Sequence, residues 1–355
     1  MKESPVLKSA AQPLAAATPD FRTASDFFDD ASSPAEKARR ALSKLKSRHL
    51  SARRLEQAEK TLSLARTLDA EILAHFYQRQ EVKILADFVG GSVGLSRRIA
   101  NSKARIILLC GVDFLAQLLQ KIRPDLTVLI PRADAGCPFS QTVQAEEIVA
   151  YRRKRPKSLL VADVKASGPV RELCDFSLSS SAELDFLRQI SATFSDEAKR
   201  DTIAPEDLIV LPALSMGDPD KVTHGSWPGA FCQVHRQVEA ERLREVIEAH
   251  PSAKVAVNAL CESSVRRMAD FVGDSQAIHD WCLERPDEEF VIICEDGLTE
   301  TLQERLPRAR FVETNIEVFC PNMKLTNIKD LLFSLEAFQL GERSAPAEMP
   351  LAEAR

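Results

Sequence analysis

The sequence predicts an α/β protein built from parallel sheets, and two observations support this fold class. Short apolar runs rich in β-branched residues alternate with helical patterns, as in parallel strands that are buried on both faces. One motif occurs three times, at separations of 88 and 95 residues, and predicts three related units that each end in a cysteine. The predicted strands are 71–76, 105–110, 126–130, 158–164, 207–211, 253–257, 289–294 and 310–313.

A charged helical extension is predicted before the first strand. Residues 1–34 are rich in Ala, Ser, Pro and Asp and have no apolar period, which is typical of a disordered tail. Ser33 can cap the helical pattern that follows over 34–67, and Pro34 suits its first position. The basic side chains of this pattern favour a solvated helix face over a nucleic-acid or membrane contact. Further helices are predicted at 112–122, 237–249 and 298–306.

These patterns divide the chain into five expected segments. A tail and charged helix (1–64) precede three αβα units, and a flexible tail (341–355) follows them. The expected units are 65–150, 151–245 and 246–340, with the chain ends returning to the first of them.

The overall charge excludes one functional class. The 355 residues include 47 basic and 52 acidic side chains, and a net charge of −5 gives no reason to expect a general nucleic-acid-binding protein. No apolar stretch reaches the about 18 residues of a membrane span, and no signal segment is recognisable. We therefore expect a cytoplasmic protein whose eight cysteines are reduced and act as packing residues, metal ligands or nucleophiles.

The repeated motif is Asp-Phe with a serine five residues after the aspartate. It occurs at 87–92, 175–180 and 270–275, and each copy runs into a helical pattern. Backbone N–H groups and hydroxyls at such a helix start suit a phosphate or carboxylate, although a serine there is most often only a cap. The three serines, Ser92, Ser180 and Ser275, are therefore candidate ligands of an anionic substrate.

The ends of three predicted strands lie twelve residues before these aspartates. His75, Asp163 and Asn258 occupy these positions, and Tyr77, Lys165 and Leu260 follow two residues later. Residues just past the carboxyl ends of parallel strands line ligand crevices. We therefore expect the three pairs at equivalent positions around a common centre, with Asn258 among the substrate-binding candidates.

Three cysteines share the register of the repeat. Cys137, Cys232 and Cys320 lie 50, 57 and 50 residues after the repeated aspartates, each beyond the last strand of its unit. Three convergent thiolates suit zinc or an iron–sulfur cluster, and the alternative is three small buried residues. The other cysteines do not share the register, and no Cys-x-x-Cys pair occurs. Core packing is favoured for Cys110 and Cys294, Cys174 and Cys282 lie in helical patterns, and Cys261 lies beside the expected site.

These motifs resemble those of quinolinate synthases. The resemblance covers roughly residues 65–340, and its segments occur in the family's order. The segments are Ala74-His75-Phe76-Tyr77-Gln78, Ala86-Asp87-Phe88-Val89-Gly90 with Ser92, Ala135-Gly136-Cys137, Cys232-Gln233-Val234-His235 and Cys320-Pro321-Asn322-Met323-Lys324.

The resemblance implies three pseudo-symmetric, three-layer αβα domains around a central [4Fe-4S] cluster. The three cysteines in register would bind three irons, and the fourth iron would stay open to substrate as a Lewis acid. The family condenses iminoaspartate with dihydroxyacetone phosphate to form quinolinate for NAD biosynthesis. His75, Tyr77 and His235 match family positions that handle substrate and protons.

Departures from the family pattern concentrate at the expected site. Asp163 and Lys165 replace the Tyr and Asn of a Tyr-x-Asn-Thr-Ser run, and Gly91 replaces an Asp. Asn258 and Leu260 replace the His and Glu of a His-Pro-Glu-Cys run. A buried lysine can bind a carboxylate or form a Schiff base, and it can also only fill space as an ion pair with Asp163. Losing a general acid or base typically costs about 10²–10⁴-fold in rate.

The favoured hypothesis is therefore a diverged iron–sulfur enzyme of the quinolinate synthase fold. It would carry out a condensation, dehydration or related lyase step on a small anionic substrate, and cluster-assembly machinery would load it. The alternatives are an authentic quinolinate synthase, a non-catalytic cluster-bearing sensor or partner protein, and a zinc protein.

Overall fold

A computed structural model describes residues 33–156, 158–182, 208–211, 225–226 and 231–342. These residues contain three four-stranded sheets, and every pair of neighbouring strands is parallel. In each sheet the strands lie in the same order, with the second strand at one edge, then the first, third and fourth. The strands are β1 Ala70–His75, β2 Phe88–Gly90, β3 Ile106–Cys110, β4 Thr127–Leu129, β5 Leu159–Asp163, β6 Phe176–Leu178, β7 Leu208–Leu211, β8 Gly225–Ser226, β9 Lys254–Asn258, β10 Phe271–Gly273, β11 Glu289–Ile293 and β12 Arg310–Phe311.

Helices connect the strands and cover the sheets. The α/β class with parallel sheets is confirmed. The helices are α1 Pro34–Ser47, α2 Ala52–Thr67, α3 Gln80–Leu85, α4 Ser92–Asn101, α5 Asp113–Ile122, α6 Ala145–Lys154, α7 Gly168–Leu173, α8 Gln233–Arg236, α9 Ala240–Ala249, α10 Ser263–Arg266, α11 Ser275–Leu283, α12 Asp296–Arg305 and α13 Ile328–Gln339.

All eight predicted strands are present, with bounds within two residues of the expected ones. The strands missing from the prediction are β2, β6, β8 and β10, which are two or three residues long. Three of them lie inside the repeated motif. Their Gly and Ser content hides them, because neither residue favours a strand and so short a run has no measurable period.

The two central strands of the first sheet alternate their side chains between two cores. Leu73 and Ile107 belong to a core with α4 and α5, whereas Ile72 and Leu108 belong to a core with α1, α2 and α13. The third sheet is likewise buried on both faces, between α8–α10 on one side and α11 and α12 on the other. This explains why the strands are continuous apolar runs.

The repeated aspartates hold the second strand of each sheet against the first. Each carboxylate accepts the N–H of the second or third residue of the first strand, and the aspartate's own N–H donates to the carbonyl of that same residue. The carboxylate bonds join Asp87 to Ile72 at 2.9 Å, Asp175 to Leu160 at 2.8 Å and Asp270 to Val255 at 2.8 Å. The repeated aspartate therefore has a structural role, because it joins the first two strands of each sheet.

The N-terminal extension consists of two helices where the sequence predicts one helical stretch. The pattern breaks between α1 and α2, where His49 has a positive φ of 55°. Ser33 and Glu36 form a capping box that starts α1, so the predicted cap is correct. α13 packs against α2 and β3, which places the end of the described chain on the first sheet. Among the described residues, no helix is long and apolar enough to cross a membrane.

Candidate functional site

A cavity of about 270 Å³ lies where the carboxyl ends of β1, β5 and β9 meet three cysteine-bearing loops. It brings together most of the residues that the sequence singled out. Asp163 and Ser180 are the exceptions, since both are fully buried behind the wall. The predicted site residues that line it are His75, Tyr77, Ser92, Cys137, Lys165, Cys232, His235, Asn258, Ser275 and Cys320.

One backbone arrangement occurs at the ends of β1, β5 and β9. The side chain of each strand's last residue accepts the N–H of the residue two positions later, and that later residue lines the cavity. His, Asp and Asn all offer an acceptor close to the backbone, which explains how three different residues fill one position. The three bonds are Tyr77 N–H to His75 Nδ1 at 3.2 Å, Lys165 N–H to Asp163 Oδ1 at 2.8 Å and Leu260 N–H to Asn258 Oδ1 at 3.0 Å.

The three cysteines in register all line the cavity and are partly buried. Cys137 and Cys232 directly precede the short helical segments Pro138–Gln141 and α8. Two residues separate Cys320 from the segment Met323–Leu325. Burial raises the pKa of the Cys137 thiol to about 12, and the nearby charges of Cys232 and Cys320 add to the rise. Burial likewise raises the pKa of Cys320 to about 11. Proximity of like charges means that the thiolates need a cation to balance them.

The donor set suits a cluster. Three thiols reach one cavity from three separate loops, as a cluster requires when each of its irons takes one thiolate. Among the described residues, no three His, Cys, Asp or Glu side chains are grouped as ligands of one metal ion.

The serine-bearing helix starts lie against one another. Ser92 and Ser275 are the first residues of α4 and α11, and Gly91 and Asp274 are the caps that precede them. The Gly91 N–H donates to Gln276 Oε1 at 2.9 Å. The Asp274 N–H donates to the Ser181 hydroxyl at 2.7 Å, which joins the third unit to the second.

The caps at these helix starts leave two serine hydroxyls available. The Asp274 carboxylate accepts the N–H groups of Gln276 and Ala277, so Ser275 is not the cap. Ser92 and Ser275 have buried side chains that line the cavity. Their placement at adjoining helix N-termini suits an anion.

His75 is a neutral hydrogen-bond donor to the cavity. Burial lowers its pKa to about 3, and the positive charges of Lys165, Lys324 and Lys83 add to the effect. Because Nδ1 accepts the N–H of Tyr77, the neutral ring carries its proton on Nε2.

Tyr77 is held by Asn258 and Cys294. The Tyr77 hydroxyl lies 3.1 Å from Cys294 Sγ, and the Asn258 amide donates to both at 3.4 and 3.3 Å. Burial raises the pKa of Tyr77 well above its usual value, so the phenol keeps its proton. The interpretation of Cys294 as a core residue alone was therefore incomplete. Cys294 directly follows β11, which pairs with β9, and the carboxyl ends of parallel strands line ligand crevices. That position in the sequence could have indicated a role for Cys294 at the site.

His235 connects the cysteine loops to this group. Its Nδ1 lies 3.4 Å from Cys232 Sγ, and its Nε2 lies 4.0 Å from Cys294 Sγ. Burial lowers the pKa of His235 to about 3, so the ring is neutral at physiological pH.

Lys165 is held at the cavity wall by buried partners. Its Nζ lies 3.3 Å from Asp163 Oδ1 and 2.7 Å from the Ser180 hydroxyl. That hydroxyl in turn donates to Asp163 Oδ2 at 2.6 Å. Of the lining residues in the described part of the chain, Lys165 is the only Lys or Arg. The second unit therefore presents one fixed cation to the cavity.

The remaining cysteines do not line the cavity. Cys110, Cys261 and Cys282 are buried in the cores of the first and third sheets. Cys261, whose role the sequence left open, is a packing residue under the third sheet. Cys174 caps the end of α7.

Comparison with known proteins agrees with this arrangement. The model of the NadA family, described as quinolinate synthetase A protein, matches residues 59–349. The chain belongs to the quinolinate synthase family. The quinolinate synthase of Thermodesulfovibrio yellowstonii is 32% identical over 79% of this chain and 90% of its own length. Those of Clostridium kluyveri and Clostridioides difficile are 31% and 29% identical, over 76% and 77% of this chain and 86% and 87% of theirs.

The cavity wall combines residues that fit the family resemblance with residues that depart from it. His75, Tyr77 and the three cysteines in register, which carry the resemblance, all line the cavity. The apolar side chain of Leu260 lines it at the position where the resemblance leads us to expect a carboxylate. Asp163 does not replace that carboxylate, because it lies behind Lys165 and both of its oxygens are already bonded.

Proposed function

We propose that this protein is a [4Fe-4S]-dependent enzyme of the quinolinate synthase family that acts on a small anionic substrate other than the parent pair. In this proposal, the sheets belong to three pseudo-symmetric αβα units, 65–150, 151–245 and 246–340, arranged around the cluster. One observation carries the proposal. Three thiols share a cavity with His75 and Tyr77, which fit the family pattern, whereas the lining residues from the second and third units, Lys165, Asn258 and Leu260, depart from it. The activity is a condensation, dehydration or related lyase step.

Cys137, Cys232 and Cys320 would hold the cluster. An iron without a protein ligand supplies a Lewis acid that polarises a carbonyl, hydroxyl or carboxylate of the substrate. The three partly buried thiols support this assignment, since their negative charges would repel one another when ionised.

The first unit supplies neutral hydrogen-bond donors. His75 carries its proton on Nε2 at the cavity, and a neutral imidazole there stabilises a developing negative charge on a substrate oxygen. The Tyr77 hydroxyl receives a hydrogen bond from Asn258, which polarises the O–H bond and strengthens it as a donor. His235 stays neutral beside Cys232 and offers the substrate a hydrogen-bonding ring nitrogen.

The second unit binds the anion. Lys165 Nζ pairs with the buried Asp163 carboxylate, and an ammonium held in this way suits an anion better than the formation of a Schiff base. Ser180 fixes the ammonium beside its own helix start. With Ser92 and Ser275 at the two neighbouring helix starts, Lys165 forms a positively polarised end of the cavity that suits a carboxylate or phosphate.

The third unit supports a change of reaction. Leu260 can neither accept a proton nor bind an ammonium or hydroxyl group. Asp274 is the only carboxylate among the described lining residues, and its Oδ1 already accepts the N–H groups of Gln276 and Ala277. A substrate with an apolar group at this wall fits better than the parent substrates.

The decisive experiment supplies iminoaspartate and dihydroxyacetone phosphate to anaerobically reconstituted protein and measures quinolinate by mass spectrometry. We expect no more product than a Cys320→Ser control forms. The double variant Asn258→His, Leu260→Glu restores the family residues and is expected to raise quinolinate formation. Sustained turnover by the unmodified protein would overturn the divergence and leave an authentic quinolinate synthase. Metal and sulfide analysis of the same samples separates a cluster from zinc.

A further inference from the structure

Asp113 bonds to the backbone of one proposed cluster ligand. The N–H of Cys137 donates to Asp113 Oδ1 at 3.1 Å, and the Phe114 N–H donates to the same oxygen at 2.7 Å. The backbone of Asp113 also takes part, because its N–H donates to the carbonyl of Ala135 at 3.1 Å. Two hydrogen bonds therefore join the start of α5 to the loop that carries Cys137.

Glu295 does the same in the third unit. The N–H of Cys320 donates to Glu295 Oε1 at 3.4 Å, and the Gly297 N–H donates to Oε2 at 2.8 Å. The adjoining backbone bond also recurs, from the Asp296 N–H to the carbonyl of Val318 at 3.0 Å. The two carboxylates precede their cysteines by 24 and 25 residues, so they occur at matching places in the two units.

Further bonds fix the two loops relative to each other. The Asn322 side-chain amide donates to the carbonyl of Gly136, which joins the loops of Cys320 and Cys137 directly. Lys324 pairs with the fully buried Glu295 at 3.1 Å and donates to the carbonyl of Gln78 at 3.4 Å. The Cys320 loop is thus tied to both the first unit and the third.

We propose that Asp113 and Glu295 are positioning residues that hold Cys137 and Cys320 in ligand geometry before the cluster binds. The proposal rests on the cluster assigned under the proposed function. The two carboxylates bond to the backbone N–H groups of the ligand cysteines and so restrict the motion of each loop in the metal-free protein. Cluster binding then costs less conformational entropy. In the second unit, the residues after β7 that would correspond to Asp113 and Glu295, 212–224, lie outside the described residues.

The test compares variants that differ in the hydrogen-bond acceptor. Asp113→Asn keeps an acceptor oxygen, whereas Asp113→Ala removes it. Asp125→Ala is the control, because Asp125 is an exposed carboxylate of the same unit that pairs with Arg123. Metal-free protein is alkylated with iodoacetamide, the modified cysteines are quantified by mass spectrometry, and melting curves verify that each variant is folded.

We expect Asp113→Ala to raise the alkylation rate of Cys137 about tenfold and to leave Cys320 within about twofold. Asp113→Asn and the control should stay within about twofold of the unmodified protein. Cluster retention against a chelator should fall about tenfold in Asp113→Ala alone. Unchanged protection of Cys137 in Asp113→Ala, or equal loss in Asp113→Asn, would overturn the positioning role.

A second pair examines the third unit. Glu295→Gln and Glu295→Leu both leave Lys324 without its carboxylate, so their difference isolates the acceptor of the Cys320 N–H. Faster alkylation of Cys320 in the Leu variant only supports the proposal, and equal rates contradict it. If the unmodified protein takes up no cluster, the proposed function fails, and alkylation still decides the positioning role.

Discussion

At the end of β1, the imidazole of His75 accepts the N–H of Tyr77, and at the end of β5 the carboxylate of Asp163 accepts the N–H of Lys165. The backbone is the same, but the first unit presents neutral donors to the cavity and the second a fixed cation. The strand's last residue needs only an acceptor near its backbone, while the residue two positions later has no such requirement. The cavity chemistry can therefore change without a change of fold.

The largest expected effect concerns the feature that all three units share. Cys320→Ser removes one of three proposed cluster ligands, and we expect iron and sulfide content to fall to background after anaerobic reconstitution. Cys174→Ser, outside the register and half-buried, is the matched control and should load normally. Equal iron and sulfide content in both variants would show that Cys320 is not a cluster ligand and that the three cysteine loops are not equivalent.

The next effect separates the first unit from the second. Lys165→Met removes a charged hydrogen-bond donor and should weaken binding of inorganic phosphate or a small dicarboxylate by roughly 10- to 100-fold, measured by calorimetry. Tyr77→Phe should change that affinity by less than about threefold, because it leaves the charge in place. Comparable losses in both variants would contradict the assignment of anion binding to the second unit.

Substitution of the repeated aspartates tests whether the three sheets, which carry these different cavity residues, are stabilised in the same way. Asp175→Ala leaves the buried N–H of Leu160 without its acceptor, and we expect a loss of about 2 to 3 kcal/mol in the free energy of unfolding. Asp87→Ala and Asp270→Ala should cost similar amounts in urea denaturation. Asp125→Ala supplies an exposed control. A loss confined to one aspartate would show that the repeat is not energetically equivalent.

A smaller effect is the pH dependence contributed by His75. Its pKa of about 3 in the folded chain lies below the usual value of 6.5, so only the unfolded chain gains this proton as the pH falls from 6.5. Stability should therefore decrease with acidification, by about 2 kcal/mol at pH 5 from this residue. His75→Asn keeps a strand-end acceptor, as Asn258 does, and should lack this part of the slope. Parallel curves for the two proteins would contradict the assignment.

Much of the fold could be predicted from the sequence, because the parallel strands are long apolar runs and the repeat sets their register. The convergence of the three cysteine loops followed from the same register. What the sequence could not provide was the partner of each repeated aspartate, since a bond to a strand 15 residues earlier leaves no local pattern.

The buried contacts around the cavity were less predictable from the sequence than the residues that line it. Asp163 and Lys165 were expected to face the centre together, but only Lys165 does so, because the Asp163 carboxylate is fully buried between the Lys165 N–H and the Ser180 hydroxyl. Cys294 resembled any strand-end core residue until its contact with Tyr77 was known. Such contacts join strands about 200 residues apart, and no spacing rule connects them.

Gly91 has a consequence for the history of this site. A Cβ at this position would lie 2.7 Å from Ser275 Oγ and 3.0 Å from the Gln276 backbone nitrogen. The aspartate that the family resemblance leads us to expect would therefore meet the start of α11, and the Ser275 hydroxyl and the neighbouring backbone would have to shift to admit it. A Gly91→Asp substitution in this sequence is expected to lower the free energy of unfolding, so a return to the parental residue carries a stability cost at this position.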